Sequence, residues 1–231
     1  MRKIQFEVQQ IYHIFNRGVD KRDIVTNDTD RWRFIIALLI FNQEHIPSHT
    51  LWSMDRKGIV TFKKVKKLVS SKNRDPLTRI MAYCLMKNHF HLVVQEIKER
   101  GISRFMHKLG TGYAAYFNKK HKRSGRLFQG PYRAVKVTDD TQLKYLLTYI
   151  NVINPSELIE LGIKENGPRD ISKIMQHAES YPWSTHQEYL QVRNSPIIEK
   201  GIFGEFTSTR YEYEKLCTDM LKILQVPNVT G

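Results

Sequence analysis

The chain has 231 residues, 41% of them hydrophobic, and 37 Lys and Arg against 23 Asp and Glu give a formal net charge of +14. Length and apolar content suffice for one large domain, or one domain with an appendage. No apolar run reaches the roughly 18 residues of a membrane span, and the start, MRKIQFEVQQ, lacks the apolar stretch of a secretory signal. Cys84 and Cys217 match no zinc spacing, so a reduced, cytoplasmic protein is expected.

Residues 8–16 read as a first strand that ends at Gly18, where glycine is expected to allow positive φ. Asn27-Asp28-Thr29-Asp30 supplies capping oxygens for a helix through Trp32, Phe34, Ile35 and Leu38 to about Asn42. Residues 45–78 are polar and lysine-rich, with Lys63, Lys64, Lys66 and Lys67 close together, and read as an insertion. Arg79–Met86 and the run from His89 form two strands joined at Lys87-Asn88, and a helix follows from about Ser103 to Lys120. A strand over Leu127–Val137, broken near Gly130-Pro131, leads to a helix from Thr141 to about Ile153, where Pro155 is expected to stop it. Residues 165–190 hold a loop and the segment Tyr181-Pro182-Trp183-Ser184, with Trp183 a core anchor, and 205–225 read as a last helix. This order argues for an α+β fold with helices mainly on one face of an antiparallel sheet.

The chemistry concentrates in His89-Phe90-His91-Leu92-Val93-Val94. A strand sends alternate side chains to opposite faces. Both imidazoles therefore point one way while Phe90 and Leu92 enter a core, and the pair forms half of a divalent-metal site. In the helix from Thr141, about 100° per residue gathers Leu143, Leu146, Leu147 and Ile150 into a core stripe. Tyr145 and Tyr149, four apart, lie on another face, and Asn151 and Asn154 cluster near the helix end. The charge is expected to draw nucleic acid rather than lipid. Aromatic residues interleave with basic ones from Tyr113 to Arg123, which suits single strands.

Several segments, in order, resemble the REP-associated tyrosine transposases, single-tyrosine members of the HUH nuclease superfamily. They are Tyr12 to Gly18, Ala82 to Leu92, Tyr116-Phe117-Asn118 with its basic tail, Leu127 to Gly130, Tyr149-Ile150 through Asn154-Pro155, and Tyr181 to Ser184. The resemblance spans about residues 12–189 and implies a ferredoxin-like α+β sheet; the expected organisation is a domain over 1–190 that includes the 45–78 insertion, followed by a C-terminal helical extension over 191–231. It implies Tyr149 as nucleophile and His89, His91 and Asn154 as ligands of Mg²⁺ or Mn²⁺. It further implies single-stranded or hairpin DNA as partner, no membrane, and a homodimer left open. Arg17, Lys119, Lys120, Lys122, Arg123, Arg126 and Arg133 are the candidate DNA contacts; ordinary solvated charge accounts for at least half of such residues.

The chain departs from the family at one point. The motif there usually places Asn four residues after Tyr, and here Asn154 follows Tyr149 by five. Either a wider turn restores Asn154, or Asn151 or water substitutes. The expected activity is DNA strand transfer through a 5′-phosphotyrosine; the alternative is an inactive nucleic-acid-binding protein on the same scaffold. A histidine phosphoesterase ranks below both, since position 93 is Val where such enzymes usually carry a further histidine. His13 is expected to be packed or hydrogen-bonded and to bind no metal.

Overall fold

The computed structural model describes residues 4–45 and 74–225. The proposed insertion, including Lys63 to Lys67, therefore falls almost wholly outside the described residues. Strand β1 (Ile11–Arg17), helix α1 (Asp28–Phe41), β2 (Thr78–Leu85), β3 (His89–Glu96), α2 (Gly101–Lys120) and β4 (Arg133–Lys136) follow in a βαββαβ order. The sheet runs β2-β3-β1-β4, and every neighbouring pair is antiparallel. This is the ferredoxin-like α+β arrangement, and it makes β3 a central strand.

Alternation on β3 sets the two layers. Phe90, Leu92 and Val94 point into a core shared with Ile14, Phe34, Leu38, Phe105 and Leu109, beneath α1 and α2. Those two helices approach closely: a Cβ added at Gly112 would lie 2.1 Å from the Phe41 ring. On the opposite face Val93 joins Ala82, Cys84, Leu147, Ile150, Val152, Tyr213 and Cys217 in a second core. The expectation of one helix-covered face describes α1 and α2; the chain after β4 adds α3 (Asp140–Thr148), α4 (Ile171–Ser180) and α5 (Arg210–Gln225) to the other. Cys84 and Cys217 are both buried free thiols, and burial raises both pKa values.

Local chemistry explains most boundaries. Asn27 caps α1 by accepting from the Asp30 N–H, and Asp139 caps α3 by accepting from Gln142. Four expectations need correction. The strand expected over Leu127–Val137 is confined to Arg133–Lys136, with a lone bridge from Phe128 to Gly18, because Pro131 has no N–H for the ladder. Residues 165–190 contain a helix as well as loop: Asp170 caps α4, whose Ile171, Ile174, Met175 and Ala178 carry the helical spacing. Gly18 has φ −59°, so positive φ is not its role; a Cβ there would lie 2.1 Å from the Arg22 carbonyl oxygen. Finally, Pro155 does not stop the helix. The backbone passes from α3 through a π-helical turn, Tyr149–Ile153, into a short helical segment, Asn154–Ser156. Proline is tolerated because the wide turn has already taken the ladder out of the i→i−4 pattern that proline breaks.

Candidate functional site

Register alone assembles most of the site. Cross-strand partners share a face. Phe15 on β1 pairs with His91 on one side and with Arg133 on the other, and Arg17 pairs with His89. His89, His91, Arg17 and Arg133 therefore stand together, and all four line an open cleft of about 610 Å³ with Glu157 and Lys164.

Tyr149, just past the end of α3, packs against one of the cleft histidines. Its ring meets His91 edge-on at 5.5 Å between centroids, and it meets His13 at 6.2 Å. Tyr145, one turn earlier, lies 6.0 Å from it. The phenol ring thus lies beside His91 and His13.

The π-helical turn resolves the spacing departure. In an α-helix a residue five positions on lies about 140° round the axis from the first. Here the Asn154 N–H bonds to the Tyr149 carbonyl, an i→i+5 bond, and the widened turn absorbs the additional residue. Asn154 then lies against His89 and acts to raise that imidazole's pKa. Asn151 points elsewhere: its Oδ1 accepts from Thr185 Oγ1 at 2.6 Å.

The imidazoles are held neutral. Burial, followed by the charges of Lys164 and Arg17, lowers the pKa of His89 to about 4 against the opposing effect of Asn154. Burial, then the neighbouring His13 and His89, lowers that of His91 well below its ordinary value. His89 Nδ1 donates to Asn88 Oδ1 at 2.7 Å, so its Nε2 keeps the lone pair. His91 Nδ1 is 2.8 Å from His13 Nε2. With the His91 proton on Nδ1, both residues offer Nε2 as a donor atom.

Among the described residues no three His, Cys, Asp or Glu side chains converge as a metal cage. A set of two imidazoles and an amide is a different donor set, and one observation fits it. Asn154 is wholly buried, yet neither Oδ1 nor Nδ2 makes a well-formed hydrogen bond among the described residues. An orphaned amide beside two neutral imidazoles is what an oxygen-seeking divalent cation would satisfy.

The remaining basic residues divide. Arg17 and Arg133 lie at the cleft, and Arg126 lines a second groove between α2 and the 126–132 segment. Lys119, Lys120, Lys122 and Arg123 gather at the end of α2. There Lys120 is bound 2.6 Å from the buried Asp30 carboxylate, and Arg123 lies over the Phe117 ring. Trp183 packs edge-on against Trp32 at 5.5 Å, in the first core. Sequence reasoning missed Lys164 and Glu157, which enter the cleft from a segment with no motif of its own.

Fold and site together define a class: a ferredoxin-like sheet presenting paired histidines to a single tyrosine. Residues 42–152, just under half of the chain, match the family model described as "Transposase IS200 like". The match contains His89, His91 and Tyr149 and ends before Asn154. No curated protein matches. One similar solved structure is described as "Structure of the REP associates tyrosine transposase bound to a REP hairpin". It has 13% identity and a TM-score of 0.46, over 86% of this chain and 96% of that chain. Among the described residues no helix is long and apolar enough to cross a membrane.

Proposed function

We propose that this protein cleaves and rejoins single-stranded DNA by transesterification. The observation that carries the reading is the Tyr149 ring 5.5 Å from His91, which itself lines a cleft with two arginines. The substrate class is a single strand bearing a hairpin, as the sequence resemblance implies.

The Tyr149 oxygen attacks a backbone phosphorus. A new Tyr–O–P bond forms, the P–O3′ bond breaks, the phenol gives up its proton, and the departing oxygen ends as a 3′-hydroxyl. One phosphodiester replaces another, so a later 3′-hydroxyl can reverse the exchange without an external energy source. A hydrolytic nuclease would lose that bond to water.

Each remaining side chain has a definable task. Arg17 and Arg133 hold backbone phosphates and fix register without reading bases. His89, His91 and Asn154 would hold Mg²⁺ or Mn²⁺, which would supply Lewis-acid polarisation of the phosphate. Asn88 and His13 orient the two imidazoles through their Nδ1 atoms.

The test is a denaturing gel after incubation of the protein with hairpin-bearing single strands and divalent metal. The wild type gives a covalent DNA–protein band that chelator removes, and Tyr149→Phe gives none while still binding the strand. A wild type that binds such strands but never forms the band would instead be a binding module on this scaffold.

A further inference from the structure

Lys164 is unexplained by the scheme above, and its surroundings are unusually well built. It sits in a short helical turn, Ile163–Asn166, between Gly162 (φ +78°) and Gly167 (φ +69°). Ile163 is fully buried in the second core. A Cβ at Gly167 would lie 2.3 Å from the Leu224 carbonyl oxygen, so this turn is pressed directly onto the backbone of α5. The turn is thus a fixed platform, and it lies beyond the end of the family match.

From that platform the ammonium reaches into the cleft. Lys164 Nζ is 2.9 Å from Glu157 Oε1 and 5.0 Å from the centre of the Tyr149 ring. Both Lys164 and Glu157 line the cleft with His89 and His91. Burial pushes the Lys164 pKa down, but the Glu157 carboxylate and the Tyr149 hydroxyl outweigh it, and the net shift is upward. The ammonium is therefore held charged while partly withdrawn from water, where a cation–ring contact is at its strongest.

We propose that Lys164, anchored by Glu157, is a positioning residue that fixes the Tyr149 side chain against His91. The proposal rests on the strand-transfer reading for its consequence, though not for its geometry. Tyr149 follows α3 in an irregular turn, and the aromatic contacts on its histidine side are edge-on and individually weak. A charged group bridging Glu157 and the phenol adds a restraint on the ring. Misplacing a nucleophile by about 1 Å costs on the order of 100-fold in rate, so such a restraint has kinetic weight.

Two measurements on the full chain test this. The first needs neither DNA nor metal. The protein is labelled with fluorotyrosine, the Tyr149 resonance is assigned by its loss in Tyr149→Phe, and its shift and width are compared among variants. Lys164→Met is expected to move or broaden that resonance, and Lys164→Arg to restore most of it. The second is single-turnover adduct formation, where Lys164→Met is expected to slow the step about 10- to 100-fold. Strand affinity and its salt dependence should change little, and Glu157→Gln should fall between. An unmoved fluorine resonance in Lys164→Met overturns the assignment. So does a loss of affinity in step with the rate and with a shallower salt slope, which would make Lys164 an ordinary phosphate contact. If the wild type forms no adduct, the strand-transfer reading falls, and the fluorine comparison alone still decides the role of Lys164.

Discussion

At the scale of single residues, histidine chemistry depends on what each ring nitrogen touches. His13 lies on β1 opposite Val93, on the same face as His91, and its Nε2 meets His91 Nδ1. Removing it takes away the partner that selects the His91 tautomer. His13→Ala is expected to weaken Mn²⁺ binding about 10- to 100-fold, measured by calorimetry, with metal-independent strand binding retained. Away from the cleft, His186 is buried with Nδ1 2.7 Å from the Tyr213 hydroxyl. Burial, then Arg210, lowers its pKa to about 3. The folded protein keeps this ring neutral, whereas the unfolded chain takes up a proton below about 6.5. Its contribution is therefore complete above about pH 6.5 and is lost as pH falls toward the folded value. Urea midpoints measured from about pH 7.5 down to 4.5 should fall, and His186→Gln should flatten part of that dependence. An identical slope in the variant would assign the acid sensitivity to other groups, His13 among them, which burial lowers to about 4.

At the scale of elements, the π-helical turn is the decisive piece. It accommodates one more residue between Tyr149 and Asn154 and leaves Asn154 with an unsatisfied amide. A buried amide without a well-formed hydrogen bond costs about 1–3 kcal/mol, and the proximity of Asn154 to His89 offsets only part of that. Asn154→Leu, close to Asn in size, is therefore expected to raise the stability of the metal-free protein by about 1 kcal/mol. A rise in melting temperature with Mn²⁺ is expected of the wild type, and this variant should abolish it. Equal Mn²⁺ stabilisation of both proteins would remove Asn154 from the ligand set. The spacing of Asn154 was legible in the sequence, including the option of a wider turn. The choice of that turn was not, because it depends on Val152 and Ile153 packing against α4 and β2, which lie far away in the chain.

At the scale of the molecule, charge is sorted by the fold. The net charge of +14 is a property of the sequence, but the arginines that share a face with the histidines are selected by strand register. Neutralising a phosphate contact removes about one unit from the slope of log affinity against log salt. Arg17→Ala and Arg133→Ala are each expected to do so in strand-binding titrations across salt concentrations. Lys120→Ala should leave the slope nearly unchanged and instead destabilise the fold. Its ammonium is committed to Asp30, whose carboxyl lies at about 2: burial pushes it up, but Lys120, Thr26 and His121 outweigh that. A slope reduced by Lys120→Ala as much as by Arg133→Ala would move the DNA path to the end of α2.

The sequence by itself determined whatever neighbouring residues encode together. Alternation in His89 to Val94 placed both imidazoles on one face and Phe90 on the other, and Asn27 and Asp139 marked where helices begin. These follow from backbone geometry with a period of two or of 3.6 residues, which needs no distant partner. Tertiary structure alone decided which remote groups meet. It returned Asn154 to His89 through a wide turn, carried Arg133 to the histidine face across β1, and delivered Lys164 to Tyr149 on a platform braced by α5. Such meetings depend on the packing of segments far apart in sequence, and no local pattern of apolar and polar residues records them.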